Sequence, residues 1–200
     1  MKNITVKNNF QKIKLGATAL LKPFEYHKVM KDTLMDKIEK SYNDNLNVKD
    51  DYYGDVVHRL DWSKNLDYDR EWVKYVKPRL QEHFEICAND LNYKGCRIKG
   101  MWYQQYVKNN THGWHIHGEN YTGVYYLELP DDTPKTELID QYDINKKITI
   151  DANEGDIVIF PSFIIHRAPK VLNDSRKTII SFNLEFDIVN KEIFNIIDNL

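Results

Sequence analysis

The stretch Gly155-Asp156-Ile157-Val158-Ile159-Phe160-Pro161-Ser162-Phe163-Ile164-Ile165-His166 decides the fold. A Gly-Asp turn opens a short apolar run, Pro161 stops it, and a second apolar run follows. Runs of this length, bounded by turn formers, read as buried strands rather than helices. The same texture extends in both directions. Ile98–Val107, Tyr121–Leu129, Ile148–Asp151, Asp156–Phe160, Phe163–Ala168 and Lys177–Phe186 are short and rich in β-branched or aromatic residues. Asn109-Asn110, Pro130-Asp131-Asp132, Glu154-Gly155-Asp156 and Asn173-Asp174-Ser175 supply turns between them. Several short strands at such spacing predict a sandwich or a barrel.

Upstream, the pattern is helical. In Phe24–Tyr42, Val29, Leu34, Met35 and Ile38 recur at spacings near 3.6 with charges between them. A second helix is predicted through Trp72, Val73, Val76, Leu80, Phe84 and Cys87, with Asp67 or Asp69 as its cap and Pro78 as a kink or break. Val48–Tyr68 shows no clear period and is expected to be a loop. The fold class is α+β. One domain is expected over residues 1–200, with a helical support to about residue 95 and a β core over about 96–186.

The chain has 200 residues, enough for one sizeable core. A net charge of −2 gives no electrostatic reason to expect a nucleic-acid or anionic-membrane partner. The N-terminal MKNITVKNNFQKIKLG has no continuous apolar region, so no signal peptide is read there, and no window is apolar enough for a membrane span. A cytoplasmic protein is expected. Cys87 and Cys96 could form one disulfide, but not a secreted framework.

The densest group of functional atoms is Thr111-His112-Gly113-Trp114-His115-Ile116-His117-Gly118-Glu119. In an extended segment, residues two apart share a face, so His115 and His117 can converge on one side. Paired imidazoles suit Fe, Zn, Cu or Ni. His166, among apolar neighbours, is the candidate third ligand. The competing reading is a buried histidine hydrogen-bonded within the core, which is the better account of His58 and His83.

In Arg176-Lys177-Thr178-Ile179-Ile180-Ser181-Phe182-Asn183-Leu184-Glu185-Phe186, one face reads Arg, Thr, Ile, Phe, Leu, Phe. That apolar face is expected to point to the core, carrying Arg176 at its open end. A guanidinium there needs a carboxylate, and an acidic cofactor could supply it. Otherwise Arg176 snorkels to water at the strand end.

Taken together, WHIHGENYTGVYYLELP, EGDIVIFPSFIIH and RKTIISFN resemble the Fe(II)/2-oxoglutarate oxygenase families related to prolyl 4-hydroxylases, over about residues 96–186. The resemblance implies a double-stranded β-helix (a jelly-roll or cupin-like barrel), iron(II), 2-oxoglutarate and O2. It implies an enzyme that hydroxylates a substrate, with a prolyl or other peptidyl residue as first guess, and releases succinate and CO2. It places His115 and His166 as metal ligands and Arg176 on the distal carboxylate of 2-oxoglutarate. Tyr126 and Thr178 would add hydroxyls to that carboxylate. One departure is plain: the family pattern is His-x-Asp/Glu, whereas His117 follows His115. Either three histidines hold the metal, or the motif shifts to His117-Gly118-Glu119. The three-histidine set is favoured, because Trp114–His117 can stay extended while Gly118 ends the run. Two rivals stand beside this reading: a cupin-type metalloprotein that does not use 2-oxoglutarate, and a non-catalytic β-barrel module. The loops Val48–Tyr68 and Asp131–Lys147 are candidate lids.

Overall fold

A computed structural model describes residues 15–41, 45–50, 54–192 and 196. The N-terminal segment read for a signal peptide lies, through residue 14, outside the described residues. Eleven strands and two helices are described: β1 Leu20–Pro23, α1 His27–Glu39, β2 Asn45–Asp50, β3 Asp55–Leu60, α2 Glu71–Asp90, β4 Cys96–Tyr106, β5 His112–His115, β6 Tyr121–Glu128, β7 Glu137–Ile139, β8 Lys147–Thr149, β9 Asp156–Pro161, β10 His166–Ala168 and β11 Lys177–Phe186.

The strands form two antiparallel sheets. The larger has the order β1-β9-β6-β11-β4-β3-β2, and the smaller β5-β10-β7-β8. One core lies between the sheets, where Tyr106, Val124, Tyr126, Phe160 and Ile179 meet Leu138 and Ala168. A second core lies on the other face of the large sheet, where both helices pack. This is the double-stranded β-helix arrangement, unclosed, with helices on one side.

Each helix buries a stripe. Met30, Leu34 and Ile38, spaced four apart, carry α1 onto the sheet, while Val29 is 76% exposed. In α2, Trp72, Val73, Val76, Leu80, Phe84 and Cys87 are buried, and the Phe84 ring lies 4.4 Å from that of Phe182 on β11. Burying a large aromatic of this kind stabilises by roughly 2–3 kcal/mol. Pro78 does not break α2. It sits on the solvent side, where water can satisfy the carbonyl that its missing N–H leaves free. The α2 N-cap is Arg70, and neither Asp67 nor Asp69 caps it; the Asp67 carboxylate accepts from the Asp69 N–H instead.

The largest departure from the sequence expectation is Val48–Tyr68. It holds the β2–β3 hairpin and a single 3-10 turn at Trp62–Lys64, and this hairpin extends the large sheet beyond β4. With β1 pairing β9, three strands of the large sheet come from the part expected to be helical. Asp61 locks the junction. Its buried carboxylate meets the Arg70 guanidinium and accepts from Trp72 Nε1 (3.0 Å) and the Tyr103 backbone N–H (2.8 Å). Cys87 and Cys96 are both free thiols, so the single disulfide is absent. Among the described residues, no helix is long and apolar enough to cross a membrane.

Candidate metal centre and co-substrate pocket

Antiparallel pairing of β5 with β10 sets His166 directly across from His115. His117 follows β5 by two residues, its backbone N–H bonded to the Ser162 carbonyl (3.1 Å). One ring nitrogen from each of His115, His117 and His166 lies within 4.8 Å of the others. The carboxylate of Glu119 is not in that group, so the shifted His117-Gly118-Glu119 motif has no support in the geometry.

The ring tautomers are fixed from behind. His115 Nδ1–H donates to the Gly113 carbonyl (2.7 Å), and His166 Nδ1–H donates to that of Ile164 (2.9 Å). Each Nε2 lone pair is therefore left for a metal, the usual way a backbone carbonyl orients a ligating imidazole. Burial also keeps the rings uncharged: His115 and His166 are pushed below the ordinary histidine range, and His117 to about 3. Neutral imidazole is the ligating form.

A cavity runs from the three histidines into the space between the sheets, past Gln104, Tyr106, Val124, Thr136, Ile179 and Ser181. The side chains of β11 that face it are Ile179 and Ser181, with Lys177 two residues further on the same face. The alternate residues Ile180, Phe182, Leu184 and Phe186 face the helices. This corrects the sequence reading of β11. The apolar face does point to a core, but to the helix-side one. β11 is buried on both faces, and the barrel side is the more polar because it lines the cavity.

Arg176 and Thr178 therefore lie away from the cavity. Arg176 donates to Glu128 through Nε (2.8 Å) and a terminal nitrogen (3.1 Å), and to Glu39 (2.6 Å). Its need for a carboxylate is met by the protein's own acids. The Thr178 hydroxyl donates to Glu128 (2.8 Å) and accepts from Gln105 (3.3 Å). Tyr126 does face the barrel, but its hydroxyl donates to Thr136 (2.7 Å).

A buried basic side chain on the barrel face of β11 is Lys177. Its side chain is 1% exposed, its Nζ donates to the Pro134 carbonyl (2.8 Å), and it lies 4.9 Å from the centroid of the Tyr106 ring. Among the described residues, no carboxylate lies within ion-pair reach of it. Burial alone pushes its pKa down to about 7. Beside it, the buried Tyr106 hydroxyl has no hydrogen-bond partner. A buried amine without a carboxylate, over a ring whose buried hydroxyl is unsatisfied, is a place where an acidic ligand would be favoured. The donors present, three imidazole nitrogens and an unpartnered Tyr106 hydroxyl on one cavity with Lys177 over the Tyr106 ring, suit an acidic ligand that also meets a metal. Alternation along β11 groups Lys177 with Ile179 and Ser181, but alone it does not say which of the two cores that face meets.

Three imidazoles held between the sheets of a double-stranded β-helix, with a buried lysine on the barrel side, make a candidate non-haem metal centre. Residues 100–183 match the family described as "Putative 2OG-Fe(II) oxygenase". Comparison with curated proteins gives no match. Among solved structures, an oxidoreductase of the 2OG-Fe(II) oxygenase family from Burkholderia pseudomallei aligns at a TM-score of 0.60 and 10% identity, covering 86% of each chain. The viral collagen prolyl hydroxylase of Paramecium bursaria Chlorella virus-1, solved with 2OG, aligns at 0.57 and 13% identity, covering 83% of this chain and 94% of that one. A Pseudomonas putida prolyl-4-hydroxylase aligns at 0.56 and 11% identity, covering 84% and 92%. At these identities the likeness is one of fold. Over residues 100–183, the barrel-forming part, this chain is similar to the 2OG-Fe(II) oxygenases. The cofactors of that family are iron(II) and 2-oxoglutarate, and in this chain His115, His117 and His166 form a group able to hold a metal ion.

Proposed function

We propose that the enzyme hydroxylates a C–H bond of an extended, peptide-like substrate, converting 2-oxoglutarate and O2 to succinate and CO2 as the hydroxyl group is formed. The observation that carries the co-substrate assignment is the buried Lys177 side chain inside the barrel, which has no carboxylate partner among the described residues. In this reading Lys177 and the Tyr106 hydroxyl hold the distal carboxylate of 2-oxoglutarate, the place first given to Arg176. Tyr126 acts one step behind, fixing Thr136 at the cavity wall.

Iron(II) with bound 2-oxoglutarate supplies the oxidising chemistry, and the protein holds the reactants in register and excludes water. His115, His117 and His166 present neutral lone pairs to the metal. Val124 and Ile179 line the cavity with apolar surface, which strengthens the contact between Lys177 and an anion.

Two grooves support an extended substrate, because both reach His117. One passes Val48, Leu60, Trp62 and Ile116; the other passes Asn92, Tyr93, Glu119 and Phe163. A chain crossing both would bring one residue to the metal. The β2–β3 hairpin and the 3-10 turn wall the first groove, so this part of the chain governs which residues fit. Prolyl hydroxylation is the first form to test, in keeping with the viral and Pseudomonas prolyl hydroxylases that share the fold.

The test begins with anaerobic protein, Fe(II) and 2-oxoglutarate. A weak visible charge-transfer band is expected, followed by succinate formation once O2 is admitted. Peptides with central prolines, or with other single residues, should raise succinate output above the substrate-free rate, with a mass gain of one oxygen in the peptide. Iron binding with no band and no succinate would leave the cupin-type alternative as the better account.

A further inference from the structure

His112, the first histidine of the Thr111–Glu119 stretch, is not among the three that can share a metal, yet it is built tightly into the site. Its ring stacks on His115 with centroids 3.9 Å apart and an interplanar angle of 12°. Its Nδ1 lies 2.9 Å from Gln104 Nε2, and its Nε2 lies 3.5 Å from Asp55 Oδ2. Gln104 is buried, and its Oε1 accepts from the Ser181 hydroxyl (3.2 Å). The amide therefore presents N–H to His112, and the His112 ring proton sits on Nε2, facing the Asp55 carboxylate. The opposite amide orientation would set a bare ring nitrogen against that carboxylate. Asp55 also accepts from the Gly113 N–H (2.8 Å), and the Gly113 carbonyl is the acceptor for His115 Nδ1–H.

His115 is thus restrained twice by one cluster. Its edge is held by the carbonyl of Gly113, the residue whose N–H is anchored on Asp55, and its face is covered by a ring fixed by Asp55 and Gln104. We infer that His112 is a positioning residue for the metal ligand His115, holding that imidazole in its ligating orientation through a Gln104–His112–Asp55 chain and the ring stack. The inference rests on the reading of His115 as an iron ligand. The stack has an electronic side too. A carboxylate behind Nε2–H makes the His112 ring electron-rich, and an electron-rich face favours a neighbouring ring that turns more positive when it binds a cation. The His112 ring is itself closed to ligation, since Gln104 occupies Nδ1 and Nε2 carries the proton toward Asp55.

The test is Co(II) titration of metal-free wild-type protein, His112→Ala and His112→Phe, read from the visible ligand-field bands. Thermal melting of each metal-free protein is recorded alongside. His112→Ala is expected to weaken Co(II) binding about tenfold or more, the usual range when a group orienting a ligand is lost, and to alter the band shape. His112→Phe, which keeps a stacked ring, should recover most of the affinity. Both variants should melt cooperatively. Wild-type affinity and spectrum in His112→Ala would overturn the inference, as would equal loss in both variants. Wild-type protein that binds no Co(II) would instead remove the reading of His115 as a ligand, and the inference with it.

Discussion

Lys177→Met separates the two basic residues of β11. The substitution keeps the length of the side chain and removes a buried amine that, among the described residues, has no carboxylate partner. A hydrogen bond between charged groups contributes about 1.5–3 kcal/mol net. Loss of that bond should weaken 2-oxoglutarate binding about 10- to 150-fold, at about 1.4 kcal/mol per tenfold. The pH dependence of the wild type carries a second signature. With a pKa of about 7 in the free protein, Lys177 is mostly neutral above that pH and must take up a proton to meet the anion. Affinity should then fall by up to about tenfold for each pH unit above the pKa. The cavity histidines, already uncharged, add no opposing trend. Titrating the Fe(II) protein with 2-oxoglutarate, following the visible band from about pH 6 to about pH 9, measures both effects. Lys177→Met should also flatten the pH dependence. Wild-type affinity in Lys177→Met, or a larger loss in Arg176→Ala, would refute the assignment of Lys177.

The same lysine gives a stability prediction of known sign. Its folded pKa lies below the unfolded value, so the unfolded chain binds the extra proton between about pH 7 and about pH 10.5, and metal-free stability should rise across that window. Calorimetry should show this rise in the wild type and a reduced one in Lys177→Met, which should also melt higher at neutral pH. Arg176→Ala should cost stability by about 1–2 kcal/mol in urea melts through its bonds to Glu128 and Glu39, with 2-oxoglutarate affinity kept within about twofold. Gly123→Ala would set a methyl 2.1 Å from the Val158 carbonyl oxygen and 2.7 Å from the Phe182 ring. A loss of about 3 kcal/mol or more in the same assay is expected, since backbone on one side cannot yield. His166→Ala should leave iron near background by metal analysis after desalting, in a protein that still melts cooperatively.

Much of the barrel was legible in the sequence because its strands are short, apolar and fenced by Gly, Pro and Asn. The helices were legible from their stripes, although Val29 kept period without being buried. The β2–β3 hairpin was not, because its strands are short and mostly polar, with alternation in residues 45–49 too brief to stand out, and it gains its place by pairing β4. The histidine cluster could be assembled from spacing, since period-two alternation brings His115 and His117 to one side. The cation could not be assigned by the same reasoning. Alternation correctly sorted β11 into two faces, but hydrophobicity cannot say which of two cores a face meets. A barrel interior that binds an anion is the more polar side, which reversed the choice between Arg176 and Lys177.

The two-sided burial of β11 has a practical consequence for altering this enzyme. Even-numbered positions from 176 to 186 answer to the helices and can be varied as a packing problem, scored by melting alone. Odd-numbered positions from 177 to 181 answer to whatever acid enters the barrel, so they are where preference among keto acids would be redesigned. A library confined to one parity should therefore change either robustness or diet, and seldom both.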